Sequence, residues 1–142
     1  MSQESVEIVQ QGYMDVNAFM RGNLADGALK HLLDPQIEWD WNLSAARPPG
    51  TPQRVQGAGE LIAFLERVRA QWSDVAVEPL EFIDGSDGRV LVCARQFRRL
   101  SEGAAPDTLE IFHVWTIRRG RVSRLEIFLD RADALEAAGL SE

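Results

Sequence analysis

Residues 108–140 read TLEIFHVWTIRRGRVSRLEIFLDRADALEAAGL, and this stretch decides the fold. Two runs rich in β-branched and aromatic residues, about 108–118 and 121–129, flank Arg119 and Gly120. Glycine supplies the positive φ that a tight hairpin turn needs. Asp130 then caps a short helix, Asp133 lies in its first turn where the helix dipole favours an acid, and Gly139 closes it. With the turn centred on Arg119 and Gly120, strict alternation makes Ile117 face Val122, Trp115 face Arg124 and His113 face Glu126. That register puts His113, Trp115, Glu126 and Phe128 on one face, and Phe112, Val114, Leu125 and Ile127 on the other. One face is expected to pack on helices and the other to form an oligomer contact. A shift of one residue in register exchanges the faces.

The chain upstream supplies the rest of the sheet and its cover. Strands are expected at about 75–83 and 89–100, joined by the turn residues Asp84 to Gly88. Leu61, Leu65, Val68 and Trp72 form the apolar face of a helix over 58–72. Before it, NLSAARPPGTPQRVQG (42–57) carries three prolines and reads as an irregular arm. QIEWDW (36–41) alternates as a strand. Val6, Val9, Tyr13, Val16 and Met20 mark a first helix, ended by Gly22 and Asn23, and a short second helix runs from Leu24 to Leu33. An antiparallel sheet with three amphipathic helices must bury one face beneath them.

The 142 residues are read as one domain, residues 1–142, with 45% hydrophobic content suited to a packed core. The net charge of −7 argues against nucleic acid or an anionic membrane surface as partner. Cys93 is the single cysteine, so no intramolecular disulfide forms, and in VLVCAR it reads as a small core hydrophobe. No leader-like N-terminus and no membrane-length apolar run are apparent, so a cytoplasmic protein is expected. The two histidines, His31 and His113, are far apart and no metal-ligand spacing occurs; His31 is expected at the surface. No glycine-rich phosphate motif is present, so neither a metal nor another cofactor is expected.

Candidate site residues follow from polar groups among apolar ones. His113 beside Glu126 reads either as a general acid/base unit in a pocket or as a buried hydrogen-bonded pair. Arg95, on the preceding strand, either joins them, or pairs with Glu110 or faces solvent. Arg98 and Arg99 read as solvated strand-end charges. Asp40 lies between Trp39 and Trp41; alternation sends it to water, whereas a local bulge would turn it under the aromatics as a base. Tyr13 needs a partner for its hydroxyl and is either a pocket donor or a satisfied core residue. Trp39, Trp41, Trp115 and Phe128 complete the candidate ligand wall.

FMRGNLADGALKHLLDPQIEWDW (19–41), GELIAFLERV (59–68) and HVWTIRRGRVSRLEIFLDRADALEAAGL (113–140) together resemble the nuclear transport factor 2-like superfamily, and more closely its SnoaL-like group. The resemblance covers nearly the whole chain. It implies an α+β fold of cystatin-like topology: a cone-shaped, curved antiparallel sheet packed on three N-terminal and central helices, with a short C-terminal helix. It also implies a homodimer through the outer sheet face. Asp40 resembles the strand-one base of the steroid isomerases, but Asp15 stands where their helix-one tyrosine lies, two residues from Tyr13. His113 resembles a histidine often found on the fourth strand of SnoaL-like proteins.

The expected function is binding of a hydrophobic oxygenated small molecule, with cofactor-free isomerisation, cyclisation, dehydration or hydrolysis by general acid/base chemistry. Here Asp40 or His113 would take the proton, Glu126 would orient His113, and Arg95 or Tyr13 would steady the oxyanion. The alternative is a non-catalytic binding or dimerisation domain. A cavity of several hundred Å³ touching two of Asp40, His113 and Glu126 favours the first reading, and a filled cone favours the second.

Overall fold

The computed structural model describes residues 2–24, 26–41, 54–71, 74–99, 101–103 and 105–140. Most of the proline-rich arm (42–53) and Trp72 lie outside the described residues. The elements are α1 (Ser2–Met20), α2 (Asp26–Leu32), β1 (Leu33–Trp41), β2 (Arg54–Gln56), α3 (Ala58–Gln71), β3 (Asp74–Asp84), β4 (Arg89–Arg99), β5 (Asp107–Arg118), β6 (Arg121–Phe128) and α4 (Arg131–Ala137). Six strands form one curved, open sheet in the order β2-β1-β6-β5-β4-β3. The expected α+β architecture is present, with a refinement in pairing. The chain enters β1 parallel to β6, so an otherwise antiparallel sheet contains one parallel pair. β2 is a short strand at the end of the arm, where no regular structure was expected.

α1, α2 and α3 cover the inner face of the sheet. Val9, Tyr13 and Phe19 of α1 and Leu61, Phe64, Leu65 and Val68 of α3 are buried against Ile37, Val92, Ile111, Trp115, Leu125 and Ile127. Two contacts fix α1 in place. Asn17 hydrogen-bonds both backbone groups of Val77 on β3, donating at 2.8 Å and accepting at 3.0 Å. Trp115 of β5 packs against the helix at Gly12, where any Cβ would lie 2.9 Å from the indole ring. Gly12 is therefore required by close approach rather than by backbone conformation.

α4 packs on the opposite face, where Ala134, Leu135 and Ala138 meet Leu91, Val114 and Phe128 in a second small core. Asp130 caps it, accepting from Ala132 N at 2.7 Å. Part of the outer apolar surface expected at an oligomer contact is thus covered by the chain's own last helix.

The hairpin carries the main correction. Its turn is where the sequence placed it, with positive φ at Arg119 and Gly120, and Ile117 pairs with Val122. The next pair, however, is Thr116 with Arg124. Ser123 is an extra residue, a β-bulge, and its hydroxyl donates to the Thr116 carbonyl at 3.2 Å. Beyond the bulge every β6 side chain is reversed relative to simple alternation. His113 pairs with Ile127 and Trp115 with Leu125 on the inner face; Glu126 pairs with Val114 on the outer face. Strict alternation would have placed Arg124 and Glu126 beneath the helices, where charges lose their hydration. The bulge exchanges them for Leu125 and Ile127.

Deleting Ser123 is expected to remove the bulge yet keep Arg124 opposite Thr116 and Leu125 opposite Trp115, leaving the charges outward at a cost of roughly 1 kcal/mol. Deleting Leu125 instead turns Glu126 inward and lowers unfolding free energy by roughly 3 kcal/mol or more. Ser123→Ala removes only one side-chain hydrogen bond and costs about 1 kcal/mol. Denaturant titration of the two deletion variants checks this; equal stabilities would contradict the role given to the bulge.

Candidate functional site

Three inward-facing aromatic side chains meet between α1 and β5. The Trp115 indole N–H donates to the Tyr13 hydroxyl at 3.0 Å, and that oxygen lies 2.6 Å from His113 Nδ1. The tyrosine ring stacks on the imidazole, with ring centres 5.7 Å apart. The hydroxyl carries one hydrogen. Among the described residues that hydrogen has no acceptor other than Nδ1, so we assign His113 the tautomer with its proton on Nε2. Burial depresses the imidazole pKa from 6.5 to about 3, so the ring is neutral at physiological pH. Burial likewise drives the Tyr13 phenol well above its ordinary range, so it stays protonated as a donor.

The ring borders an apolar cavity of about 70 Å³ between α1, α3 and the sheet, whose walls include Val16, Met20, Trp39, Trp41, Phe64 and Val68. His113 is 5% exposed, and Nε2 has no hydrogen-bond partner among the described residues. It is not among the sealed polar atoms either, so Nε2 is the atom the ring presents to the cavity. Trp39 and Trp41 pack with ring centres 6.0 Å apart, and Trp41 meets Phe64 edge-on. Their indole nitrogens are sealed and unpartnered.

Five of the expected site residues therefore gather at one place: Tyr13, Trp39, Trp41, His113 and Trp115 all line the cavity. Four do not. Glu126 is turned outward by the bulge, so the expected His113–Glu126 pair does not form. Phe128 goes with it and packs under α4. Asp40 pairs with Glu126 across β1 and β6 and faces outward, as alternation between two inward tryptophans dictates. Arg95 sits opposite Glu110 and is 3.9 Å from Glu78, away from the cavity.

On that outer face Asp40 is only 3% exposed, yet it does not point to open water. Its carboxylate accepts from Arg54 at 3.1 Å and Arg124 at 3.5 Å; Arg124 also lies 3.5 Å from Glu126 and 3.7 Å from Glu38. Burial pushes the Glu126 carboxyl above its ordinary pKa, against the pull of Arg124 and with the Asp40 charge adding to the rise. Arg98, expected to be solvated, is half-buried and donates to Asp107 at 2.7 Å. Cys93, expected in the core, is half-buried on the outer face and accepts a bond from Arg131 at 3.3 Å. His31 is exposed, as expected.

Two polar lining residues were missed in the sequence, Asn17 and Gln96. Gln96 alternates inward with Val92 and Ala94, and that parity was the available signal. Among the described residues no His, Cys, Asp and Glu cluster is arranged to hold a metal ion, and no helix is long and apolar enough to cross a membrane.

An inward histidine in a cavity between a curved sheet and three helices defines the class, and the comparisons supply the family. The model of the SnoaL-like domain matches residues 11–125, so the chain belongs to the SnoaL-like domain family. None of the curated proteins compared matches it. Among solved structures, an NTF2-like protein of unknown function from Burkholderia pseudomallei K96243 is 24% identical, with 95% of this chain and 97% of that one covered and a TM-score of 0.71. TerC, co-crystallised with polyporic acid, is 23% identical over 95% and 97%, TM-score 0.70. The epoxide hydrolase/cyclase-like enzyme SalBIII, of pyran ring formation in the polyether salinomycin, is 18% identical over 92% and 94%, TM-score 0.69. At these identities the likeness is one of fold.

The depressed imidazole pKa sets a pH dependence. Between pH 6.5 and about 3 the unfolded ring takes up a proton that the folded ring does not, so stability falls as pH falls through that window. His113→Gln removes this term. The stability gap between wild type and variant should narrow by roughly 2 kcal/mol from pH 7 to pH 5. Denaturant unfolding at the two pH values measures it, and a constant gap would mean that His113 titrates normally.

Proposed function

We propose that this chain binds a neutral, largely apolar small molecule in the inner cavity, with His113 Nε2–H donating a hydrogen bond to a ligand oxygen. The observation that carries this reading is the state of His113. Its Nδ1 is held by Tyr13, its ring is neutral, and its only free polar atom faces apolar space. A neutral imidazole so placed is a hydrogen-bond donor. With a pKa of about 3 it is a poor proton acceptor at neutral pH.

Any chemistry is then of one kind: polarisation of a carbonyl, epoxide or ether oxygen, as isomerisation, cyclisation or ring opening would use. The version in which Asp40 or Glu126 takes a proton from the ligand is not favoured, because the described cavity walls hold no carboxylate. Binding is therefore put first and turnover second. Small-molecule use of the same fold by TerC, crystallised with polyporic acid, fits this reading.

Of Asp40, His113 and Glu126 the cavity touches His113 alone. It falls short of the several hundred Å³ expected for acid/base chemistry and of the about 300–1,000 Å³ of most ligand sites, so a ligand must displace lining side chains. Met20, unbranched and half-buried, is suited to give way. A homodimer through the outer face would meet around Phe97, which is exposed, large and on the outward side of β4.

A thermal-shift and turnover screen against steroids, enones, epoxides and aromatic polyketides tests the proposal. Neutral oxygenated compounds near a hundredfold above Kd should raise wild-type Tm by roughly 5–10 °C. His113→Phe, which keeps a ring but no donor, should lose most of that gain. Absence of any stabilised wild-type complex would count against the pocket.

A further inference from the structure

Most polar side chains lining the cavity are already committed. Tyr13 and Trp115 bond to each other, and Tyr13 to His113. Asn17 spends both ends of its amide on Val77. The Trp39 and Trp41 nitrogens are sealed from the cavity. Two polar groups remain open: His113 Nε2 and the Gln96 amide.

Gln96 is 7% exposed, faces inward from β4, and has no hydrogen-bond partner among the described residues. A buried amide without a partner is costly, and it is not sealed by protein atoms, so it too presents polar atoms to the cavity. Its position is defined by the register. His113 lies opposite Val92, and Gln96 is four residues further along β4, roughly 13 Å at the strand repeat. The inward residue between them on β4 is Ala94, and the remaining cavity walls are largely apolar, with Val16, Met20 and Val68 among them. No side chain charged at neutral pH lines the cavity among the described residues.

Resting on the pocket reading above, we infer that Gln96 is a second polar anchor and that the ligand is an elongated neutral molecule. It has an acceptor oxygen at the His113 end, an apolar middle, and a hydroxyl or carbonyl at the Gln96 end. The glutamine amide both donates and accepts, so either group satisfies it. Charged ligands are selected against, because they would lose hydration without gaining a counter-charge.

Three rod-shaped probes test this by calorimetry: biphenyl, para-acetylbiphenyl, and para-acetylbiphenyl with a hydroxyl at the far para position. The far hydroxyl should strengthen wild-type binding roughly three- to tenfold. Gln96→Leu should abolish that gain, so that the variant binds the two ketones with equal affinity. A hydroxyl that adds nothing in wild type overturns the inference, as does equal weakening of both ketones by Gln96→Leu, and the pocket reading then still stands. If none of the three binds wild type, the pocket reading falls and this inference with it. The wild-type comparison needs no variant, so it decides even where Gln96→Leu does not fold.

Discussion

The Tyr13 hydroxyl is the hinge of this structure. It accepts from the Trp115 indole on β5, donates to His113 on the same strand, and belongs to α1. A chain of three polar groups in an apolar interior is tolerated only when each finds its partner, and here one oxygen serves two. The bond ties α1 to the middle of the sheet at the point where Gly12 admits the indole ring. It also sets the chemistry of the imidazole: one ring nitrogen is occupied, the other is left with the proton, and burial keeps the ring uncharged.

The second constraint is the extra residue in β6. One hairpin must supply an uncharged wall to the helices and yet contains Arg124 and Glu126. The bulge at Ser123 separates them, sending the charges to a face where Asp40, Glu38 and Arg54 provide counter-charges. The cavity therefore stays apolar around one neutral donor, and the carboxylates that might have served as bases lie across the sheet from it. That separation is why the site reads as a binding pocket before it reads as a catalytic one.

The fold was legible because its signals are local and repeated. Helical stripes such as Val9, Tyr13 and Val16, the turn at Arg119-Gly120 and the cap at Asp130 each act over a few residues. Tyr13, Trp39, Trp41, His113 and Trp115 could be nominated because polar or aromatic groups stood at inward positions of strongly periodic elements. Glu126, Phe128 and Arg95 could not be placed, since their faces depend on pairing across strands. A bulge at Ser123 has no marker in alternation counted from the turn, although Leu125 and Ile127 at successive odd positions hinted at it. Asp40 shows the complementary case. Alternation gave its direction, but only the neighbours on β2 and β6 explain its burial. The partnership of Tyr13 with His113 joins residues a hundred apart and lay beyond any local pattern.

The account turns on the protonation state of one ring, which nitrogen-15 NMR of the imidazole observes directly. It predicts that His113 holds a single neutral form from pH 5 to 8, with the proton on Nε2 and Nδ1 showing the shift of an unprotonated acceptor. A ring that titrates near the ordinary histidine value, or that carries its proton on Nδ1, would contradict it.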